Sequence, residues 1–253
     1  MVSISVITVT LNAEKTLATC LDSVLGQRGV EVEAVVKDGG SSDGTLALLE
    51  GYRERLAVVI SEPDKGLYAA MNRALELARG EVVGILNADD YYPHPEVLAR
   101  VAALFADPQV EACYGDLCYV DREEGQRVVR YWRAGGYRPE HFYWGWMPPH
   151  PTFFVRRALY QRYGAFSLEL GSAADYELML RLLLRHRVGV AYLPEVLVHM
   201  RSGGVSSASL ANRLRANRMD RKAWALNGLR PYPWTLWCKP LRKVGQWFAR
   251  PEG

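Results

Sequence analysis

Long hydrophobic runs are missing from this chain. Nothing in its 253 residues approaches the roughly 20 consecutive apolar residues that a membrane-spanning helix needs. Cysteine is scarce. Cys20, Cys113, Cys118 and Cys238 form no CxxC pair, which argues against a disulfide scaffold or a zinc knuckle and for buried thiols in a reducing compartment. The opening MVSISVITVT lacks the basic stretch of a secretory leader, so the cytoplasm is the expected compartment. Repeats and low-complexity segments are absent too. What is present, 49% apolar and 23% charged residues, is a globular composition that excludes a disordered, collagenous or coiled-coil chain. A chain this long makes one large domain, or one domain with an appendage, and can bury a core without metal or disulfide staples.

Charge is distributed unevenly. Residues 213–253 carry ten Lys/Arg against Asp220 and Glu252, a net of +8, while the preceding residues carry 21 basic and 26 acidic side chains, a net of −5. The expected division is therefore a domain over 1–209, with a nucleotide-binding half to about residue 115 and an acceptor half from about 116, followed by a basic, aromatic extension over 210–253.

Within 1–90, nearly all-apolar β-branched runs (4–11, 32–37, 56–61 and 82–86) alternate with helical stretches near 13–27, 45–55 and 66–79. In the last of these Leu67, Ala70, Met71, Ala74, Leu75 and Ala78 share one face. Apolar strands separated by helices predict a mostly parallel sheet covered on both sides, an α/β domain of nucleotide-binding topology. Further on, the pattern predicts a helix over 95–106, a strand over 110–114, a hairpin of 117–120 with 127–132, a helix over 173–186 and a strand over 188–193. A Gly/Ser loop is expected at 202–209.

Open α/β sheets bind ligands in loops beyond the carboxyl ends of their strands, and here those loops are heavily loaded. Asp38 ends one strand and opens Asp38-Gly39-Gly40-Ser41-Ser42-Asp43-Gly44. Asp43 suits a helix cap, whereas Asp38, at the strand end, suits a base or ribose. Asn87-Ala88-Asp89-Asp90 follows another apolar strand. Clustered carboxylates repel unless a cation neutralises them, and hard oxygen ligands suit Mg²⁺ or Mn²⁺ completed by phosphate oxygens. A polar turn capping the next helix is the competing reading.

Five segments, in order, resemble the inverting family 2 glycosyltransferases of the GT-A fold: SVITVTLNAEKTLATCLDSVLGQ, VVKDGGSSDGT, SEPDKGLYAAMNRALELARGEVVGILNADDYYP, HPTFFVRRALYQRYGAF and SAADYELMLRL. Together they cover roughly residues 3–207, and the nearest likeness is to bacterial transferases of the colanic-acid type that build surface polysaccharide. The resemblance implies that Asp38 contacts the nucleoside, with Thr8 and Thr10 lining the same pocket and Lys65, beside Gly66, bordering the nucleotide or standing in solvent. It makes Asp89 the metal-binding acid of a DxD motif, with Asn87 where the first acid is usual and facing the donor. It makes Asp175 the general base, with Ala174 replacing the family's usual Glu.

The activity implied is transfer of a sugar from a nucleotide-diphosphate donor, UDP being the first choice, to a hydroxyl of a saccharide acceptor, lipid-linked in surface polysaccharide synthesis. The metal is Mn²⁺ or Mg²⁺. His150 and His199 are expected at the acceptor side or the surface. Trp144 and Trp146 stack on sugar or cover the core. The tail, with Trp224, Trp234, Trp237, Trp247 and Phe248 among its cations, suits an anionic membrane surface at the inner face or packing on the acidic body. Two rivals fit less of the sequence. A nucleic-acid-binding protein leaves the acidic clusters unexplained, so no nucleic acid is expected as a partner. A sugar nucleotidyltransferase needs a Gly-rich phosphate loop after the first strand, where TLNAEKT stands instead.

Overall fold

Burial on both faces makes β1 (Ser3–Thr10) and β4 (Val82–Ile85), and with β2 (Glu31–Asp38) and the half-buried edge strand β3 (Val58–Ser61) they are parallel and lie in the order β3-β2-β1-β4. The computed structural model describes residues 2–123, 125–203, 210–242 and 246. In β1, Ile4 and Val6 face one core, while Ile7 and Val9 face the other. The first core is closed by α1 (Leu17–Leu25) and α4 (Val97–Leu104), and the second by α3 (Leu67–Leu77), the helical run over 174–184, and Ala223 and Trp224 of the extension. Between β2 and β3 lies α2 (Thr45–Tyr52). Asp43 caps it from just outside, accepting the Thr45 amide at 3.0 Å.

Beyond β4 the sheet continues through β7 (Phe154–Arg156), β5 (Ala112–Val120) and β6 (Val128–Trp132), and β8 (Val190–Arg201) pairs in parallel with β5. The mostly parallel, helix-flanked sheet expected from sequence is present, with antiparallel β7 joining its two halves. Several elements differ in extent. β5 is one continuous strand where two were expected, because β8 pairs with it across its full length. The helix expected from residue 13 starts at Leu17, since Asn12 adopts φ 52° and turns the chain first. The helix expected over 173–186 is α-helical in α7 (Ala174–Met179) and π-helical over Leu180–Arg185. α5 (Pro139–Tyr143) and α6 (Arg157–Tyr163) were not anticipated.

The basic extension contains α8 (Leu210–Leu226) and α9 (Thr235–Arg242). α8 is held to the body by Trp224, which is fully buried and donates its indole N–H to the Tyr176 hydroxyl at 3.0 Å. Residues 204–209 of the expected Gly/Ser loop, and Trp247 and Phe248, lie outside the described residues. Among the described residues no helix is long and apolar enough to cross a membrane.

Candidate active site

The strand order reverses between β1 and β4, and in doubly wound sheets the crevice at such a reversal, beyond the strands' carboxyl ends, is where ligands sit. Register places Thr10, Asp38 and Ser61 side by side at the ends of β1, β2 and β3. β4 runs on into Leu86, whose amide donates to the Ile7 carbonyl at 2.9 Å, and then into Asn87–Asp90. Four parallel strands thus deliver their polar ends to one edge.

Asp38 is fully buried. It accepts the Gly40 amide at 2.9 Å, the Ser41 amide at 3.0 Å, the Ser41 hydroxyl, and the Ser61 hydroxyl at 2.6 Å. Burial works against its charge, but the bonds from Ser41, Ser61 and Gly40 outweigh it and hold the carboxyl below the usual carboxylate range. In this arrangement Asp38 organises the 39–42 turn and ties it to β3. Thr8 lies beneath the crevice, its hydroxyl 3.8 Å from the Cys20 thiol, which in turn donates to the Asn87 carbonyl at 3.4 Å. Thr10 is buried at the edge itself, and its hydroxyl has no protein partner.

The Asn87–Asp90 turn is closed by the Asp90 amide on the Asn87 carbonyl, 3.0 Å, and by the Asn87 side-chain amide on Asp90 Oδ2, 2.9 Å. Asn87, in the place of the expected first acid, thus braces the turn with its side-chain amide nitrogen. Asp90 is buried, and its Oδ1 has no partner. Burial first, and the charge of Asp89 second, push the Asp90 carboxyl up to about 8 against the opposing influence of Asn87 and Arg201. Asp89 is exposed. Among the described residues no group of three or more His, Cys, Asp or Glu converges as a metal cage. The donor set that remains, one exposed carboxylate beside a buried one with an unpartnered oxygen, matches the way Mg²⁺ is held by one or two carboxylates with water and substrate phosphate.

β8 reaches the same turn. Tyr91 and His199 exchange backbone hydrogen bonds at 3.0 and 2.9 Å, and His199 Nδ1 lies 3.1 Å from the Tyr91 hydroxyl. His199 is thus a neighbour of the acidic turn. No sequence signal linked residues so far apart.

Asp175 stands in the first turn of α7, half-buried, with Oδ1 accepting the Tyr176 amide at 2.7 Å. Two other groups meet it. Burial and then the charge of Asp175 raise the Tyr68 phenol; burial lowers the His150 imidazole while Asp175 opposes that shift. Phe166 packs against both rings, with centroids 5.4 Å from Tyr68 and 5.6 Å from His150. Tyr68 starts α3 just after the exposed Lys65 and after Gly66, whose φ of 113° is open to glycine and strained for other residues. Sequence reasoning did not single out Tyr68, which is one more apolar-leaning residue in a helical pattern. Glu177 is committed elsewhere. It is buried, ion-paired to Arg181 at 2.8 Å and bonded by the Asn227 amide at 3.1 Å. Trp146 belongs to the core, while Trp144 is exposed and lies 5.9 Å from Trp234.

Lys37 is the residue least visible beforehand. It is wholly buried, and its ammonium donates to the Asp38 carbonyl at 2.7 Å, the Glu62 carbonyl at 2.6 Å and Asp64 Oδ2 at 3.0 Å. A buried charge this well satisfied fixes the β3–α3 loop relative to Asp38.

A reversed parallel sheet with polar strand ends and an acidic turn after β4 fits the GT-A glycosyltransferase fold that the sequence resemblance implies. The solved structures agree on the fold. Staphylococcus aureus TarS 1–349 in complex with UDP superposes with a TM-score of 0.68 at 24% identity over 90% of this chain and 67% of that one. The mannosyltransferase PcManGT of Pyrobaculum calidifontis, in complex with GDP-Man and Mn²⁺, gives 0.65 at 21% identity over 98% and 76%. The chain spans only 39% of the longer TarS chain. In sequence, the profile "Glycosyl transferase family 2" matches residues 5–164. This chain belongs to glycosyl transferase family 2. It is 33% identical over 190 residues to an uncharacterized glycosyltransferase of Mycobacterium tuberculosis, covering 72% of this chain and 69% of that protein. It is 29% identical over 208 residues to a PGL/p-HBAD biosynthesis glycosyltransferase of Mycobacterium bovis, covering 80% and 78%.

Proposed function

We propose that the protein is an inverting, divalent-metal-dependent transferase that moves a sugar from a nucleoside-diphosphate donor, UDP-linked, to a hydroxyl of a saccharide acceptor on a lipid carrier. The observation that carries this reading is the single edge on which Thr10, Asp38, Ser61 and the Asn87–Asp90 turn meet at the strand reversal. Two buried oxygens without partners, Thr10 Oγ1 and Asp90 Oδ1, flank it, and buried polar groups without partners are costly unless a ligand supplies them. TarS, a neighbour in fold, is known with UDP and with UDP-GlcNAc, which supports the choice of UDP. PcManGT, with GDP-Man and Mn²⁺, supports the metal.

In this reading the nucleoside lies over the β1 and β2 ends, between Thr10 and the turn that Asp38 organises, with Lys65 at its border. Asp89 would hold the Mn²⁺ or Mg²⁺, with Asp90 behind it. Such an ion supplies charge neutralisation to a departing diphosphate. Asn87 shapes the turn. The Asp175 carboxylate takes the proton of the acceptor hydroxyl as that oxygen bonds the anomeric carbon. The bond from that carbon to the donor's phosphate oxygen breaks, and nucleoside diphosphate leaves from the opposite face. Tyr68 and His150, whose titration feels the Asp175 charge, stand near it.

The two-part organisation, a transferase domain to 209 and an extension from 210, belongs to this reading, as does contact of the extension with the anionic inner face of the membrane. Supporting it, Trp234, Trp237 and Leu241 are all 45% exposed or more on or beside α9, next to Lys239 and Arg242. The test is a donor-by-acceptor screen for nucleoside-diphosphate release with and without Mn²⁺. Release from a UDP-sugar that needs both acceptor and metal is the expected result. Metal-independent release, or none from any nucleotide sugar, refutes the reading.

A further inference from the structure

The turn that carries Asp175 has little of its own to hold it. α7 runs for six residues before the chain becomes π-helical, and Ala173 at its start offers no side-chain cap. Helices this short are marginal unless packing fixes them. The residues just before it, Gly171–Ala173, form one 3₁₀ turn that opens on Gly171 at φ 49°.

Much of what fixes the turn comes from the basic extension. Ala173, Ala174 and Tyr176 share one core with Ala223 and Trp224 of α8. Tyr176, the residue after Asp175, is 1% exposed. Its hydroxyl accepts the Trp224 indole N–H at 3.0 Å, and the Lys239 ammonium of α9 lies 3.5 Å from the centre of its ring. Lys239 is anchored in turn on Asp220 of α8 at 2.8 Å. Glu177, one residue further, is 5% exposed and accepts the Asn227 amide at 3.1 Å. The same amide donates to the Ala223 carbonyl at 2.9 Å, so the end of α8 is closed against α7.

The network continues into the body. Glu177 pairs with Arg181 at 2.8 Å, and Arg181 donates to the carbonyls of Tyr163, Gly164 and Ala165 at 2.6, 2.8 and 2.7 Å. Phe166, the next residue, is held at both backbone groups by the Asn72 side chain of α3, at 2.8 and 2.9 Å. Residues 174–177 are thus clamped between the body on one side and α8 on the other. A buried polar network of this kind holds its geometry while every member is satisfied, and loses it when one partner is removed. Displacing a catalytic group by about 1 Å costs on the order of 10²-fold in rate. The donor-side residues Thr10, Asp38 and Ser61 stand on other elements, at the ends of β1 to β3.

We propose that the C-terminal extension belongs to the catalytic unit: Trp224 and Asn227 are positioning residues that hold the Asp175 carboxylate in place through Tyr176 and Glu177. The inference rests on the reading of Asp175 as general base. It gives the extension a task separate from contact with a membrane.

The test is a mutant cycle on the full chain. Trp224→Phe/Asn227→Ala removes both bonds while keeping an aromatic ring at 224, and it is made with Asp175 and with Asp175→Asn. Nucleoside-diphosphate release is measured at saturating UDP-sugar and acceptor, well below the melting temperature, with UDP affinity in Mn²⁺ measured in parallel. With Asp175 present, kcat should fall about tenfold or more while UDP affinity stays within about twofold. In the Asp175→Asn chain the same pair should change kcat by less than about twofold, because a carboxylate that is gone cannot be misplaced. A merely structural contact would lower kcat alike in both backgrounds or weaken UDP binding too, and either result overturns the proposal. If Asp175→Asn alone keeps kcat within about threefold of the parent, the base reading fails and this proposal with it. A large loss in Asp175→Asn beside a parental kcat in the extension variant overturns this proposal alone. Hydrogen exchange of the amides of residues 177–180 needs no substrate. The double variant should speed it at least about tenfold relative to β1, and unchanged exchange there overturns the proposal. Should the double variant melt early, Tyr176→Phe, which deletes the 3.0 Å bond and keeps the ring, carries each comparison.

Discussion

Replacing Asp175 with Asn isolates proton transfer from everything else that residue does. Oδ1 of Asp175 accepts the Tyr176 amide at 2.7 Å, and an Asn oxygen can accept the same bond. Asn is also as good as Asp at a helix start, so the fold and melting temperature should stay as they are. What is lost is a carboxylate able to take the acceptor's proton. General-base catalysis is worth about 10²–10⁴-fold, which at about 1.4 kcal/mol per tenfold is a barrier increase of about 3–5 kcal/mol. Donor affinity should barely move, because Thr10, Asp38 and Asp89 lie on other loops. The assay is nucleoside-diphosphate release at saturating donor and acceptor, with UDP affinity measured in parallel. A kcat within about threefold of the parent, at equal melting temperature, would make Asp175 a helix-start residue and refute its role as base.

Asp89→Ala should abolish the Mn²⁺-dependent part of UDP binding without unfolding the chain; titration showing the same affinity with and without the variant would rule out Asp89 as metal ligand. Ser61→Ala removes a 2.6 Å donor from buried Asp38 and should cost about 1.5–3 kcal/mol at pH 7, the worth of a hydrogen bond to a charged group. Asp38 titrates below its unfolded value, so the stability it contributes is present above about pH 3.9 and is lost as pH falls through the folded value. The cost of Ser61→Ala should therefore shrink toward zero in strong acid, and a pH-independent cost in urea titrations would contradict this. Trp224→Ala should destabilise by about 3–5 kcal/mol as a buried large-to-small change; a loss under about 1 kcal/mol would show that α8 is dispensable to the core. Trp234→Ser/Trp237→Ser, both exposed, should release the protein from anionic vesicles in flotation while leaving its melting temperature unchanged, and continued flotation would remove the membrane reading.

The parallel half of the sheet was legible because its inner strands are buried on both faces and write that burial as mostly apolar runs, as in Ile4–Val9 and Val82–Leu86. The residues at the strand ends were legible for the same reason, since a polar residue after such a run has few places to go. The rest depends on partners distant in sequence. β7 has only three residues, too few to carry a period, and is a strand because β4 and β5 pair with it on either side. Lys37 reads as an exposed strand-end cation, yet it is buried because two carbonyls and Asp64 from the β3 side surround it. Tyr68, His150 and Phe166 gather at Asp175 from three separate segments. Asp38 was picked out by its position, but its saturation by Ser41 and Ser61 is visible only once β3 lies beside β2.

β7 has a consequence for the order in which the chain can fold. β1 to β4 pair only with one another until residue 154 is available, and the cores that cover them are completed by later residues such as Phe154, Leu159 and Leu197. The β4 edge waits, unpaired, for a strand made about 70 residues later. Within the sheet the second half joins the first through β7, whose partners are Val82 and Val83 on β4 and Ala112 and Cys113 on β5. A chain halted before Phe154 would present an open β4 edge and lack Asp175. Release from synthesis at that stage would leave a species prone to edge-to-edge association, which makes these three residues the checkpoint for assembling a complete enzyme.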